Sequence, residues 1–300
     1  MTISLREVVT DADLEAWRQV RIAVLPNQRT ESIEEMRRMA TPERMLLLAQ
    51  LDGAVVGSGI AKQSDTGADN GFVQPRVIPG GRRRGVGTAL LRALAAHAES
   101  LGFRSAGARV DDEGSLAFAA RFGFRETGRE VEQVRAIRAR EEEPRVPEGV
   151  EIVSLAERPE LRTRTYHELA LQAFEDMPTP SPISITPELW EREWITWPEG
   201  SFVALAGDEI VGCAGLVRDE DRLDRAEHSL TAVRRDWRGR GVARALKETT
   251  IAWANANGLR EIYTWTQTGN ENMRAVNEKL GYVTRSVSIS VRAPLPLPLP

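Results

Sequence analysis

One cysteine, three histidines and three lysines are all that this 300-residue chain carries of those types. With Cys213 alone no internal disulfide can form. His97, His167 and His228 share no ligand spacing with it or with one another, so no metal site is expected. No apolar run approaches the roughly 20 residues of a membrane-spanning helix, and the Met1 region lacks a secretory leader. A cytoplasmic protein with no membrane partner is expected. A net charge of −4 and a pI near 5.7 argue against bulk binding to nucleic acid. Lysine is confined to Lys62, Lys247 and Lys279, so nearly all the positive charge is arginine, placed for a small anion. That bias, with abundant alanine, points to a GC-rich bacterial genome.

What the chain has in plenty is glycine beside arginine. Val233 to Ala243, VRRDWRGRGVA, sets a glycine-rich turn between an apolar strand and a helix starting near Val242. Glycines 239 and 241 let the backbone bend tightly, and the first free N–H groups of the helix meet a ligand with the positive end of its dipole. A diphosphate fits such a place.

The chain makes this turn twice. Arg82-Arg83-Arg84-Gly85-Val86-Gly87 repeats Arg238-Gly239-Arg240-Gly241-Val242-Ala243 at an offset of 156 residues. Gly102 matches Gly258 at 156, Gly57 matches Gly212 at 155, and Gly123-Phe124 matches Gly281-Tyr282 at 158. Four landmarks at nearly one spacing indicate two copies of one domain.

In the first copy the pattern predicts a strand at 5–9, a helix N-capped by Asp11 and ended by Pro26, and a hairpin of 45–51 and 54–61 about Asp52-Gly53. A strand near 72–78 leads to the glycine turn, then a helix from Val86 to Leu101, a strand at 105–110, a helix at 115–122 and a last strand at 131–137. Residues 139–149 read as the linker, with Pro144 and Pro147 and no apolar periodicity. The domains are placed at 1–143 and 150–293, joined through 144–149. The second copy repeats the order with a strand at 151–155, a helix at 161–174 and a hairpin of 202–206 and 210–217. Its residues 175–200 differ, with prolines at 178, 180, 182, 187 and 198 and Trp190, Trp194 and Trp197. This segment reads either as packed cover for the core or as a lid facing a substrate, with Trp190 and Trp194 as substrate-binding candidates. The tail at 294–300, PLPLPLP, reads as an extended, frayed terminus or a ligand for an aromatic groove.

Strand, Arg-x-x-Gly-x-Gly/Ala, helix, strand, then a helix ending in Leu-Gly-Tyr or Phe-Gly-Phe resembles the GNAT superfamily of acetyl-CoA-dependent N-acetyltransferases. LTAVRRDWRGRGVARALK and TWTQTGNENMRAVNEKLGYV make the second half the closer match. The tandem layout is similar to that of mycothiol synthase and related actinobacterial acetyltransferases. The resemblance implies an α/β (α+β) fold of two domains, each a mixed, mostly antiparallel sheet flanked by helices. It implies that acetyl-CoA lies on Arg238, Gly239, Arg240, Gly241, Val242 and Ala243, with Val233 pairing with the pantetheine arm and Asn270 touching the cofactor. In the first copy the same loop is Arg82, Arg83, Arg84, Gly85, Val86 and Gly87.

An amine must lose a proton before it attacks a thioester, which calls for a carboxylate or a water chain near the acetyl group. Glu227, eleven residues before Arg238, stands where the histone-acetyltransferase branch carries its base. On a regular strand 227, 229, 231 and 233 share a face, so Glu227 is expected on the side of Val233 and His228 on the opposite side. A solvated strand-end glutamate is the alternative, and His228 reads as a structural histidine, with the base or a water anchor as its alternative roles. The family's tyrosine acid is replaced by Asn277, which can place a water or touch the cofactor, and Tyr263 is a further donor. The first copy has Gly71 and Ala119 at the matching offsets, neither able to move a proton, so catalysis is assigned to the second domain.

The expected activity is direct acetyl transfer to a primary amine of a small molecule, by a monomer or homodimer. A non-catalytic acetyl-CoA sensor is the alternative, and nucleic-acid binding through Arg82 to Arg84 is disfavoured by the acidic balance. The acceptor is not legible.

Overall fold

The computed structural model describes residues 2–64, 69–177, 185–219 and 222–298, apart from the side chain of Glu193. Two compact units emerge, one of residues 1–128 with 288–300 and one of residues 129–287. Each is a six-stranded sheet carrying helices on its faces.

The first unit contains β1 (Ile3–Glu7), α1 (Asp11–Val24), α2 (Ile33–Arg38), β2 (Met45–Leu51), β3 (Ala54–Gln63), β4 (Asn70–Val77), α3 (Val86–Ser100), β5 (Ser105–Val110) and α4 (Glu113–Ala120). Its strand order is β1-β2-β3-β4-β5-β12, where β12 (Val283–Pro294) supplies its C-terminal part. All neighbours are antiparallel except β4 and β5. Leu90, Leu91, Leu94 and Ala98 of α3 bury their apolar stripe against Ala49, Ala61, Val73 and Ala106. Gly59 permits that approach, since a Cβ there would lie 2.8 Å from Leu94 Cδ1. On the other face, Trp17 of α1 packs with Met36 and Leu48 and donates its indole N–H to the Gly59 carbonyl at 2.9 Å. The cap of α1 is Thr10 rather than Asp11, because Thr10 and Asp13 close a reciprocal capping box.

The tail is not frayed as far as it is described. Leu295 and Leu297 pack on the first unit's core, and Leu295 N–H donates to Arg104 O at 2.9 Å. Apolar leucines between the prolines supply burial that a solvated polyproline segment lacks.

The second unit contains the C-terminal part of β6 (Arg125–Ala136), then β7 (Glu151–Ser154), α5 (Leu161–Thr165), α6 (Leu171–Glu175), α7 (Pro187–Leu189), β8 (Phe202–Ala206), β9 (Glu209–Arg218), β10 (Arg225–Val233), α8 (Val242–Ala256), β11 (Glu261–Gln267) and α9 (Glu271–Lys279). Its order is β6-β11-β10-β9-β8-β7, with β10 and β11 the parallel pair. A π-helical turn, Tyr166–Ala170, joins α5 to α6. The segment at 139–149 has no regular structure but is pinned. Glu141 takes both ends of the Arg135 guanidinium at 2.8 and 2.5 Å, and Arg145 N–H donates to Glu248. Prolines 178, 180 and 182 lie outside the described residues.

The sheets differ in one residue. In β10 the pairing with β9 slips between His228 and Thr231, a bulge that β4 lacks. Asn70 pairs with Ser105 in the first unit as Arg225 pairs with Glu261 in the second, whereas Val77 faces Gly57 as Val233 faces Gly212. The offset between copies therefore grows from 155 to 156 across the bulge, and the residue in the place of Glu227 is Phe72, not Gly71. Gly71 faces α3, where a Cβ would meet Ala98 and Phe103.

Candidate functional site

Two uncapped helix ends stand where the glycine turns predicted them. Thr10, Ser32, Asp112 and Asn270 cap α1, α2, α4 and α9 with their side chains, but α3 and α8 begin on Gly85 and Gly241 with no side-chain cap. Their first N–H groups are left for an outside acceptor. Gly241 sits at φ 86° and Gly239 at φ 76°, the left-handed region that glycine adopts at no steric cost. Gly85 matches at φ 84°, while Arg83 takes the place of Gly239 at φ 61°. Both loops thus keep one backbone shape.

The first arginine of each loop braces the turn. Arg238 Nε donates to Val233 O and Arg82 Nε to Val77 O, each at 3.1 Å. Asp176, just past α6, pairs with Arg238 and with Arg235, and these guanidinium groups pull its carboxyl down to about 2. Arg240 stacks on Trp237 at 4.7 Å. What remains to hold an anion at 238–243 is mainly backbone. Asn270 spends its side-chain oxygen on the Met273 N–H at 3.4 Å as the cap of α9.

Beside each loop the parallel strands part. Strand β10 pairs with β11 only through residues 225–227, and β4 with β5 only through residues 70–72. In the first unit Gln74 bridges the widening gap, its carboxamide donating to Arg109 O and accepting from Arg109 N–H, both at 2.9 Å. It imitates a backbone pair and closes the space. Within the bulge in β10 stands Leu230, with no polar side-chain atom, and just past it Thr231, whose buried hydroxyl has no partner among the described residues. An extended amide chain fits the second gap in place of the missing strand pairing.

The bulge also re-aims β10. His228 reaches Thr250 Oγ1 of α8 at 3.1 Å, and Val233 packs with Val242 and Leu246 of α8. Leu230 and Ala232 pack instead with Leu161, Tyr166 and Leu169 on the other face. One extra residue shifts the two-residue alternation, so Glu227 lies opposite α8 and away from the side of Val233, correcting the regular-strand expectation. It shares its face with Leu230.

A small cavity on that face is lined by Thr165, Trp190, Trp194, Cys213, Ser229 and Leu230. The two indoles stack at 6.0 Å. Trp190 is a core residue at 4 % exposure, its N–H donating to Arg162 O. Burial pushes the Cys213 thiol up to about 12, which removes it as a nucleophile. Asn277 is fully buried, donating to Gln133 Oε1 at 2.9 Å and Thr266 Oγ1 at 3.3 Å, and its Oδ1 has no partner among the described residues. The Tyr263 ring is buried, with the guanidinium groups of Arg225 and Arg285 over it at 4.9 and 5.7 Å.

Lys247 escaped the sequence reading. It lies on the inner face of α8 at 1 % exposure, its ammonium 5.3 Å from the Tyr282 ring. Burial lowers its pKa to about 7, and burial with the Lys247 charge holds His228 well below the usual histidine value. The unfolded chain binds this proton between pH about 7 and 10.5 while the native state does not, so stability rises with pH across that window. Lys247→Met should therefore be more stable than the parent at pH 7 by about 2 kcal/mol, with the gap closing near pH 10. Urea unfolding at several pH values checks this. A variant less stable at pH 7 would contradict it.

The described residues hold no helix long and apolar enough to cross a membrane and no group of His, Cys, Asp or Glu able to hold a metal ion. Residues 10–124 and 152–282 match the Acetyltransferase (GNAT) family. A mycothiol acetyltransferase of Geodermatophilus obscurus is 29% identical over 262 residues, covering 83% of this chain and 82% of that one. An N-alpha-acetyltransferase 30 of Schizosaccharomyces pombe is 32% identical over 88 residues, 29% of this chain and 59% of the relative. Among solved structures, a GCN5-related N-acetyltransferase of Sphaerobacter thermophilus superposes with a TM-score of 0.79 at 19% identity, covering 97% of this chain and 95% of that one. A tandem GNAT protein of the clavulanic acid biosynthesis pathway gives 0.76 at 19% identity, with 98% of each chain covered. Two uncapped helix ends beside two parted strand pairs, with a family match over both copies, lead to one conclusion: the chain belongs to the GNAT acetyltransferase family and is an enzyme whose acetyl donor is acetyl-CoA.

Proposed function

We propose that the chain transfers acetyl directly to a primary amine of a small molecule, and that the second unit performs the transfer. The observation that carries this reading is the contrast between the parted strands. Gln74 fills the gap in the first unit, and among the described residues no side chain makes an equivalent bridge at the bulge in the second. Acetyl-CoA brings a thioester that is already activated, with a leaving thiolate of pKa near 8.5 by analogy with cysteine. The amides of Val242 and Ala243 hold its diphosphate, and the edge of β10 ending at Val233 orients the arm. Glu227, on the face that carries the cavity, takes the ammonium proton directly or through a water and so frees the nucleophile. Asn277 cannot act as an acid and serves by position, its amide fixed by Gln133 and Thr266. Trp190, Trp194 and Ser229 line the small cavity on this face, and the acceptor is a small molecule, as the name mycothiol acetyltransferase implies for the relatives.

The test is a panel of amino sugars, amino acids and polyamines, read by mass spectrometry for a product 42 Da heavier. N-acetylation of at least one primary amine is expected. Acetyl-CoA binding with no transfer to any amine would sink the proposal.

A further inference from the structure

Acetyl transfer leaves unused a group of arginines on the α1 face of the first unit. Residues 71, 73 and 77 of β4 face α3, so Gln74 and Arg76 face α1, in a strand that no bulge disturbs. The charges acting on Arg76 are, in order, those of Arg21 on α1, Asp111 after β5, Glu31 in the loop before α2, and Arg109 on β5. Arg21 donates to Arg29 O at 2.7 Å, and its Nε lies 3.6 Å from the Glu31 carboxylate. Its Nη1 is buried with no partner among the described residues, as is the hydroxyl of Thr30 at 1 % exposure. Arg29 is already paired with Glu35, and Arg18 with Glu15.

Arg76 itself has neither an ion-pair nor a hydrogen-bond partner among the described residues, although it is partly enclosed. Burial, followed by the charge of Arg21, brings its pKa down to about 9, more than Asp111 and Glu31 restore. A guanidinium is normally kept inside a protein by an anion that answers its fork of donors. Here the clasp of Gln74 on the Arg109 backbone fixes β5 alongside β4, so the two strands that carry Arg76 and Arg109 keep their places. The glycine loop at 82–87 is a separate feature, leading into α3 on the other face.

We propose that the first unit binds a small oxyanion, a carboxylate or phosphate group of a metabolite, on the α1 face of β4, gripped by Arg76 with Arg21 and Arg109 beside it. Binding there answers a guanidinium that the surrounding carboxylates leave without an ion pair. The site is independent of where transfer occurs.

The full chain, in low-chloride buffer at pH 7.5 with coenzyme A present to occupy the glycine loops, is titrated with inorganic phosphate and with succinate. Calorimetry and the melting temperature are followed. The parent should bind at least one of them saturably, and which one responds tells a phosphate from a carboxylate ligand. Arg76→Leu should weaken that binding at least tenfold while, without anion, melting at the parent's temperature or above it, because an unanswered enclosed cation is gone. A parent that responds to neither anion overturns the proposal. So does an Arg76→Leu that binds as the parent does, or one that unfolds or melts well below it, which would mark Arg76 as a structural cation only.

Discussion

Glu227→Gln should lower the rate of acetyl transfer by about 10²- to 10³-fold while leaving coenzyme A affinity within a factor of two, the loss expected when a positioned base is removed. The amide keeps the shape and accepts a hydrogen bond, but it takes no proton at neutral pH. The coenzyme's grip comes from the turn at 238–243, which the substitution does not touch. The defect should shrink as the pH approaches the acceptor's own pKa, because more of the amine then arrives uncharged. Steady-state rates from pH 6.5 to 9.5, with a separate binding titration, separate the terms. A variant with unchanged turnover would reduce Glu227 to a strand residue, and a loss of coenzyme affinity would make it structural.

Arg225→Met should destabilise the protein by about 3 to 5 kcal/mol, the loss typical of breaking a buried ion pair from one side. Arg225 and Asp219 are 1 % and 0 % exposed, joined Nε to Oδ2 at 2.5 Å, and the guanidinium lies over Tyr263. Removing it strands a carboxylate where water cannot reach. The pair sits where β10 and β11 are still joined, so it clamps the closed end of the gap. Denaturant unfolding measures the loss, and Arg225→Met with Asp219→Leu should recover most of it, since the pair replaced together leaves no bare charge. A loss under about 1 kcal/mol would mean that the ion pair contributes little to holding the strands.

Much of this was legible in the sequence because it is written in residues whose geometry is narrow. Gly239 and Gly241 are turn glycines by composition, and the stripe of Val86, Leu90, Leu91 and Leu94 could only be a buried helix face. The bulge in β10 has no residue signature, because its cause is register. Its trace was the step from 155 to 156 between the glycine pairs, which looks like noise until the strands are paired. That one residue decides which side Glu227 faces. Gln74 was invisible for a related reason, since its partner Arg109 is close only after β4 and β5 diverge. Lys247, between Leu246 and Ile251, carries no sign of burial in the sequence, because its burial comes from tertiary packing beside Tyr282. The leucines of the tail were masked by their prolines.

The central claim is that one of two nearly identical turns carries the reaction. Gly241→Val and Gly85→Val put the same β-branched side chain at φ 86° and 84°, a strain of about 1 to 2 kcal/mol in either loop, so their effects on folding are matched. Release of coenzyme A thiol, measured with each variant at saturating amine, should fall to background for Gly241→Val and stay at the parent's rate for Gly85→Val. The opposite pattern, or equal losses from both, would contradict the account.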